Sequence, residues 1–362
     1  MRIVIAGGGT GGHLMPALAI AEALCLIQSD VEPVLIGARR GIEATILPAR
    51  PYRFHLLPAE PLYRRQWWKN ARWMVLAPRL YAAGRSVVEQ EKPAVVVGTG
   101  GYAAAPVLLA AWRRGLPLVL QEQNAMPGLA TRWFARSARQ IHLGFPEAKR
   151  RLRPGRRTEV LAFGNPVPPP PPGLDRRVAR DRLELPPDGP VVFVFGGSQG
   201  SRALNHATAG MLEARLLEGV AVCWGTGAAQ WDEYRRYDRP PRVRVRSFWD
   251  PIAEAYRASN VVVARAGAMT AAELCVYGVP AILVPLPSAA ADHQTQNAQA
   301  LVAAGAARQL READLTPAVL AGHIQSVVGD PQVAGQMGRA ALARGAPDAS
   351  RRIAEAILRL GL

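Results

Sequence analysis

The chain has 362 residues, 49% of them hydrophobic, which excludes a disordered chain and is comfortable for two cores. Lys and Arg number 44 against 28 Asp and Glu, a net +16 that suits nucleic acid, anionic lipid or phosphorylated small molecules without choosing among them. Cys25, Cys223 and Cys275 stand far apart with no C-x-x-C spacing, so neither a disulfide framework nor a zinc site is indicated, and a reducing cytoplasm is the natural compartment.

The opening MRIVIAGGG has an apolar run too short for a signal peptide, and no run of about 18 uncharged apolar residues predicts a transmembrane helix. RIVIA (2–6) reads as a buried strand, the glycine loop GGGTGG (7–12) follows, and Leu14–Ile27 reads as a helix with Pro16 near its start. VEPVLIG (31–37) is the next strand. PAVVVGTGGY (93–102) repeats strand and glycine, and LPLVLQEQN (116–124) ends a strand in polar residues. The alternation predicts a parallel sheet with helices on both faces. It breaks at GNPVPPPPPGLD (164–175), a stiff extended connector. PVVFVFGGSQGSRALNHA (190–207) then restarts strand, loop and helix, and SNVVVARAGAMTAAELCVYGVPAILVPLP (259–287) gives strand, loop, helix and strand again. The fold class predicted is α/β, with two doubly wound domains facing each other and a helical tail that returns to the first.

Glycine between strand and helix aims backbone N–H groups at an anion, assisted by the helix dipole. Gly7, Gly9 and Gly12 satisfy the dinucleotide pattern G-x-G-x-x-G, but the second strand runs into GARRGIE, with Arg39 and Arg40 where a ribose-binding acid belongs and no carboxylate before Glu43. An NADP site and a plain tight turn both stay open on this loop alone. His13, just past the glycines, is either a proton acceptor for an attacking hydroxyl or a packing residue. GTGGY (98–102) and QEQN (121–124) lie on the same sheet edge, and three such loops together suggest a site. In the second half, Ser198 of GGSQGS (196–201) offers a hydroxyl to phosphate. Thr270 and Glu273 have capping-box spacing, which local geometry favours, while a carboxylate on ribose hydroxyls is the functional alternative. DHQTQNA (292–298) offers amides to sugar or base. No D-x-D occurs, so a diphosphate is expected to be neutralised by loop N–H groups, helix ends and basic side chains, without a metal.

Residues 61–85, PLYRRQWWKNARWMVLAPRLYAAGR, carry six Lys or Arg, no acid and five aromatics. Trp67, Trp68, Lys69, Arg72 and Trp73 fit an anionic membrane surface. A helix with a tryptophan-lined core face is the alternative, and no nucleic-acid motif accompanies the stretch.

Taken in order, GGGTGGH, GGY, EQN, GNPV, GGSQGSRALN, RAGAMTAAE and DHQTQNA resemble the MurG family over residues 1–360. The resemblance implies a GT-B fold, two Rossmann-like domains with an interdomain cleft. It implies an acceptor- and membrane-facing domain at 1–163, a UDP-sugar domain at 164–340 and a helix at 341–362 packing back on the first domain. It further implies an inverting transfer of N-acetylglucosamine from UDP-N-acetylglucosamine to the C4 hydroxyl of a lipid-linked muramoyl-pentapeptide acceptor. No cofactor or metal is required, and nucleic acid is not a partner. Such an enzyme works peripherally on the cytoplasmic face of the inner membrane, in peptidoglycan synthesis and so in cell shape and division.

The residue roles it implies follow the matching motifs. His13 lies near the acceptor hydroxyl. Thr10, Gly11 and Gly12 belong to the first-domain loop that touches the donor and faces the acceptor diphosphate, and Asn124 contacts the donor sugar. Gly9, Gly101, Tyr102 and Glu122 belong to acceptor-side loops. Ser198 sits on the donor phosphates, Trp249 beside the uracil, and Ala268, Met269, Thr270, Ala271, Ala272 and Glu273 around the uridine ribose and phosphates, with Glu273 on the ribose and Thr270 still able to cap. Gln294 and Asn297 lie near the donor sugar, and Arg265 and Asn205 match motif positions without a stated role. Three positions depart from the pattern: Pro168 replaces an arginine after GNPV, Gln121 replaces a histidine before EQN, and Trp249 rather than a small aliphatic residue follows Phe248. Another lipid-directed glycosyltransferase of this fold is the nearest alternative, ahead of an NADP-dependent oxidoreductase.

Overall fold

The computed structural model describes residues 1–60 and 73–361. Its chain divides into two units, Met1–Pro168 with Pro347–Leu362, and Pro169–Ala346. The divisions fall a few residues beyond 163 and 340, because the proline run is shared between the units and α13 (Pro331–Arg344) stays with the second.

In the first unit the strands are β1 (Arg2–Gly7), β2 (Glu32–Ala38), β3 (Arg53–Leu57), β4 (Val95–Gly100), β5 (Leu118–Glu122), β6 (Gln140–Leu143) and β7 (Glu159–Leu161). They form one parallel sheet in the order β3-β2-β1-β4-β5-β6-β7. The order reverses between β1 and β4, so the two glycine loops that follow these strands flank the switch point where open α/β sheets bind ligands. The central strands are continuous apolar runs because helices cover both faces. One face packs α3 (Trp73–Glu91), α4 (Ala104–Arg113) and α5 (Leu129–Phe134) around Val4, Val96, Leu108 and Leu120. The other packs α1 (Gly11–Ile27) and α14 (Ala349–Gly361), where Leu14, Ile20 and Leu24 meet Ile353 and Ile357.

The second unit repeats the plan with β8 (Val191–Phe195), β9 (Ala221–Gly225), β10 (Val243–Arg246), β11 (Val261–Ala264), β12 (Ala281–Leu283) and β13 (Ala307–Gln309), in the order β10-β9-β8-β11-β12-β13. Its switch point lies between β8 and β11. These strands lead into α7 (Arg202–Glu213) and α10 (Ala268–Tyr277) through the GGSQGS and RAG loops. The remaining helices are α2 (Glu43–Ile46), α6 (Arg176–Arg182), α8 (Trp231–Tyr234), α9 (Ile252–Ala258), α11 (His293–Ala303) and α12 (Pro317–Val328).

Pro16 does not sit in the first turn of its helix. Helix α1 begins at Gly11, three residues before the expected start, so Pro16 is interior and the bond its N–H would make to the Gly12 carbonyl is missing. Among the described residues no helix is long and apolar enough to cross a membrane. Trp67, Trp68, Lys69 and Arg72 lie outside the described residues, and Trp73 only opens the backbone of α3.

Candidate active site

In the first unit the loops after β1 and β4 are tied together. Gly8 N–H donates to the Gly100 carbonyl (3.3 Å), and the Thr99 hydroxyl donates to the His13 carbonyl (2.8 Å). Gly101 has φ +80°, and a Cβ there would overlap the Gly8 carbonyl, so this crossing admits only glycine. Gly9 has φ +97°, and the Tyr102 ring occupies the space its Cβ would need. Thr10 is the N-cap residue of α1, but its hydroxyl does not cap. It pairs with His13 Nδ1 at 3.0 Å. The half-buried imidazole lies against Gly100, where a Cβ would come 3.1 Å from Nε2. Gly11 and Gly12 are the first residues of the helix, where N–H groups have no intrahelical acceptor. The arrangement therefore sets an oriented imidazole beside outward-facing N–H groups.

Glu122 departs from its expected place on the acceptor side. It is buried beneath the loop it was expected to serve. One carboxylate oxygen accepts from Asn124 N–H (3.1 Å) and the Asn124 amide (3.4 Å), the other from Gly128 N–H (2.9 Å) and the Thr131 hydroxyl (2.6 Å). Burial raises its pKa above the ordinary carboxylate range, and these four donors oppose the shift. Glu122 thus staples the 123–131 segment, and half-buried Asn124 is the member of EQN that reaches the surface. Gln121, in the place of the family histidine, joins a buried amide network: its Nε2 donates to Asn165 Oδ1 (3.2 Å), Asn165 Nδ2 to the Gln123 carbonyl (2.9 Å), and Gln123 Nε2 to the Thr99 carbonyl (2.9 Å).

In the second unit, half-buried Gly197 and exposed Ser198 border a cavity of about 50 Å³ walled by Phe193, Phe195, Phe248 and Trp249. Trp249 is inside the wall, 4% exposed, edge-on to Phe193 at 5.4 Å, with the Arg246 guanidinium 4.7 Å over its ring. Phe248, 60% exposed, is the ring that projects. The Trp249 Nε1 is buried without a hydrogen-bond partner.

The capping box at Thr270 and Glu273 does not form. Helix α10 starts three residues earlier than that box requires, its N-cap is Gly267, and no side chain caps it. Thr270 is therefore the third helical residue. Glu273 turns instead to α9 and accepts from the Tyr256 hydroxyl at 2.7 Å. Burial pushes its carboxyl up to about 7, against the opposing Tyr256 hydrogen bond. Ala268, Met269 and Ala272 follow the helix start, but Ala271 is fully buried in the core and presents no side chain to a ligand.

Asn297 is also buried. Its amide donates to the Ala266 carbonyl (3.1 Å), so it supports the RAG loop from behind rather than facing a sugar. Gln294 accepts from Leu286 N–H (2.9 Å) and orders the 285–294 loop. Arg265 reaches the Ser201 hydroxyl (2.7 Å), the Glu312 carboxylate and the Val284 carbonyl (3.2 Å), while Asn205 accepts from Trp224 Nε1 (2.8 Å). Both are internal braces. Tyr256, Arg246 and Glu43 escape sequence reasoning, since no motif marks them and their partners are fixed by packing between elements.

Two parallel Rossmann-like sheets, each with a glycine loop and a helix start at its switch point, make up the GT-B architecture. Residues 3–143 match the glycosyltransferase family 28 N-terminal domain and residues 191–353 the family 28 C-terminal domain. The chain belongs to glycosyltransferase family 28. It is 43% identical, over 99% of its length and 96% of the relative's, to the UDP-N-acetylglucosamine--N-acetylmuramyl-(pentapeptide) pyrophosphoryl-undecaprenol N-acetylglucosamine transferase of Salinibacter ruber. It is 38% identical to the transferase of the same name from Anaeromyxobacter dehalogenans, over 99% and 93% of the two chains. Among solved structures it matches Acinetobacter baumannii MurG with a TM-score of 0.76 and 25% identity over 99% of both chains.

Proposed function

We propose that this protein transfers N-acetylglucosamine from UDP-N-acetylglucosamine to the C4 hydroxyl of the muramoyl sugar in undecaprenyl-diphospho-muramoyl-pentapeptide, the lipid-linked step of peptidoglycan assembly. The observation that carries this reading is the 43% identity across essentially the whole chain to a relative whose name states that transfer. The site geometry supports a division of labour, with the acceptor on the first unit and the donor on the second.

In the proposed step the acceptor oxygen forms a bond to the anomeric carbon while the bond from that carbon to the UDP oxygen breaks, inverting the centre. The hydroxyl proton passes to His13 Nε2. For Nε2 to accept, the ring must carry its other proton on Nδ1, and the Thr10 hydroxyl at 3.0 Å is placed to receive that hydrogen bond. The electron pair leaves with UDP, whose charge is met by Ser198, the loop N–H groups at 197–199 and the start of α10. Phe248 and the cavity beside it are the proposed uracil end, and Glu273 the ribose contact. Gly9, Gly101 and Tyr102 shape the acceptor side.

The test is a transfer assay with labelled UDP-N-acetylglucosamine and labelled UDP-glucose against the lipid-linked muramoyl acceptor. Incorporation from the first and not the second is expected. Absence of incorporation from UDP-N-acetylglucosamine overturns the reading. The polyprenyl tail confines the acceptor to a bilayer, so the enzyme must dock there, and the basic aromatic stretch 61–85 is the proposed docking face. Replacing Trp67, Trp68 and Trp73 with serine is expected to abolish sedimentation with anionic vesicles. Undiminished binding places the docking face elsewhere.

A further inference from the structure

The proposed reaction has no use for Glu43, yet the first unit is built around it. Glu43 is the first residue of α2 and has no exposed surface. Its Oε1 accepts from the N–H of Gly9, the residue at the tip of the glycine loop. Three glycines, Gly8 and Gly41 in loops and Gly37 in β2, leave its socket open. A Cβ on Gly8 or on Gly41 would overlap the carboxylate, and one on Gly37 would come 2.6 Å from the Glu43 Cβ. The second oxygen, Oε2, has no hydrogen-bond partner. Such a group costs free energy to bury. Burial raises its pKa, against backbone N–H groups of Glu43, Gly9 and Ala38.

A buried acid directly behind an anion-facing loop is electrostatically adverse when ionised, so its contribution is geometric. The Gly9 peptide turns inward at φ +97°, and that turn sets where Thr10 begins α1 and therefore where His13 stands. The Glu43 carboxylate is the inward acceptor for the Gly9 N–H, added to the packing of Tyr102 on Gly9 and the Gly8 N–H bond to the Gly100 carbonyl.

We infer that Glu43 is a positioning residue for the acceptor-binding loop, fixing Gly9 so that the Thr10–His13 pair and the N–H groups of Gly11 and Gly12 face the acceptor. The inference rests on the reading that residues 7–13 serve the acceptor.

The experiment varies both substrates in steady-state transfer and measures UDP-N-acetylglucosamine affinity separately by calorimetric titration. Glu43→Ala is expected to lower kcat/KM for the acceptor by about tenfold, the scale of one lost hydrogen bond, with donor Kd within about twofold of the parent. Glu43→Gln, whose amide oxygen can still accept from Gly9, is expected to restore most of that loss. Gly41→Ala crowds the carboxylate without removing it and should reproduce the selective acceptor defect, which keeps the test informative if Glu43→Ala does not fold. Unchanged acceptor kcat/KM in Glu43→Ala, or Glu43→Gln as impaired as Glu43→Ala, overturns the inference while the parent's activity upholds the function. A parent enzyme inactive on the lipid-linked acceptor overturns both.

Discussion

His13 pairs with the Thr10 hydroxyl and Glu273 with the Tyr256 hydroxyl, and each pair supplies a test. The Thr10 hydroxyl can accept from Nδ1–H of the tautomer that the proposed step requires, and if His13 is the base, His13→Ala should lower kcat by roughly 100- to 10,000-fold, the usual weight of a general base, with donor affinity unchanged. An unchanged kcat removes His13 from the role. Glu273 titrates near neutrality because burial raises it to about 7, while the Tyr256 hydroxyl pulls it down. If the ionised carboxylate is the form that accepts from ribose hydroxyls, donor affinity should rise roughly tenfold between pH 6 and pH 8 as the proton leaves. Tyr256→Phe removes the donor that favours ionisation, so the rise should begin at higher pH. A pH-independent donor Kd in the parent would detach Glu273 from the ribose. The sign for stability is opposite. An acid whose folded pKa is raised holds its proton longer in the fold than in the unfolded chain, so its contribution falls as pH rises from about 4.5 to about 7. The presence of this acid near the helix start was legible in RAGAMTAAE. Its partner was not, because T-x-x-E spacing is equally a cap, and only the packing of α9 on α10 decides where the carboxylate turns.

At the level of elements, the parts easiest to read were the buried central strands and the loops that leave them. RIVIA, AVVVG and VVFVF are continuous β-branched or aromatic runs that break into glycine, and a strand buried on both faces must look like that. The sheet edges read poorly. β3 is RFHLL, β7 is EVL and β10 is VRVR, short and half polar, as edge strands that face water must be. The start of α1 was misplaced because glycine is a poor helix former, yet Gly11 and Gly12 open the helix once the neighbouring loops hold them there. Sequence also marked EQN as a ligand-facing edge, when Glu122 faces inward as a staple. Glu122→Ala would strand the N–H groups of Asn124 and Gly128 and the Thr131 hydroxyl, and the expected cost is about 3 kcal/mol from several unsatisfied donors. The loss should appear as a lowered Tm and faster proteolysis at 124–128. Retention of parental Tm and cleavage rate would show that the loop is held by its other contacts.

At the scale of the whole molecule, each unit has its own core, but only one is contiguous in sequence. Val192, Val194, Leu204 and Ile324 close the second core from residues between 169 and 346. The first unit leaves one face of its sheet to α1 and waits for α14, the last helix of the chain. Helix α14 is suited to this by pattern. Ile353, Ala354, Ile357 and Leu358 recur at three- and four-residue spacing and are buried, while Arg351 pairs with Glu355 (2.7 Å) on the solvent side. Ile357 has no exposed surface, so Ile357→Ala should destabilise the first unit by about 2 to 5 kcal/mol through lost burial and the cavity left behind. Among the described residues the second unit's core contains none from α14, so UDP-N-acetylglucosamine affinity should be unaltered if that unit alone holds the donor. Scanning calorimetry with and without UDP-N-acetylglucosamine separates the outcomes. The variant should lower the transition that the donor leaves in place and spare the one that the donor raises. A single transition shifted as a whole, or a weakened donor, would show that the units do not unfold independently, or that the first unit takes part in holding the donor.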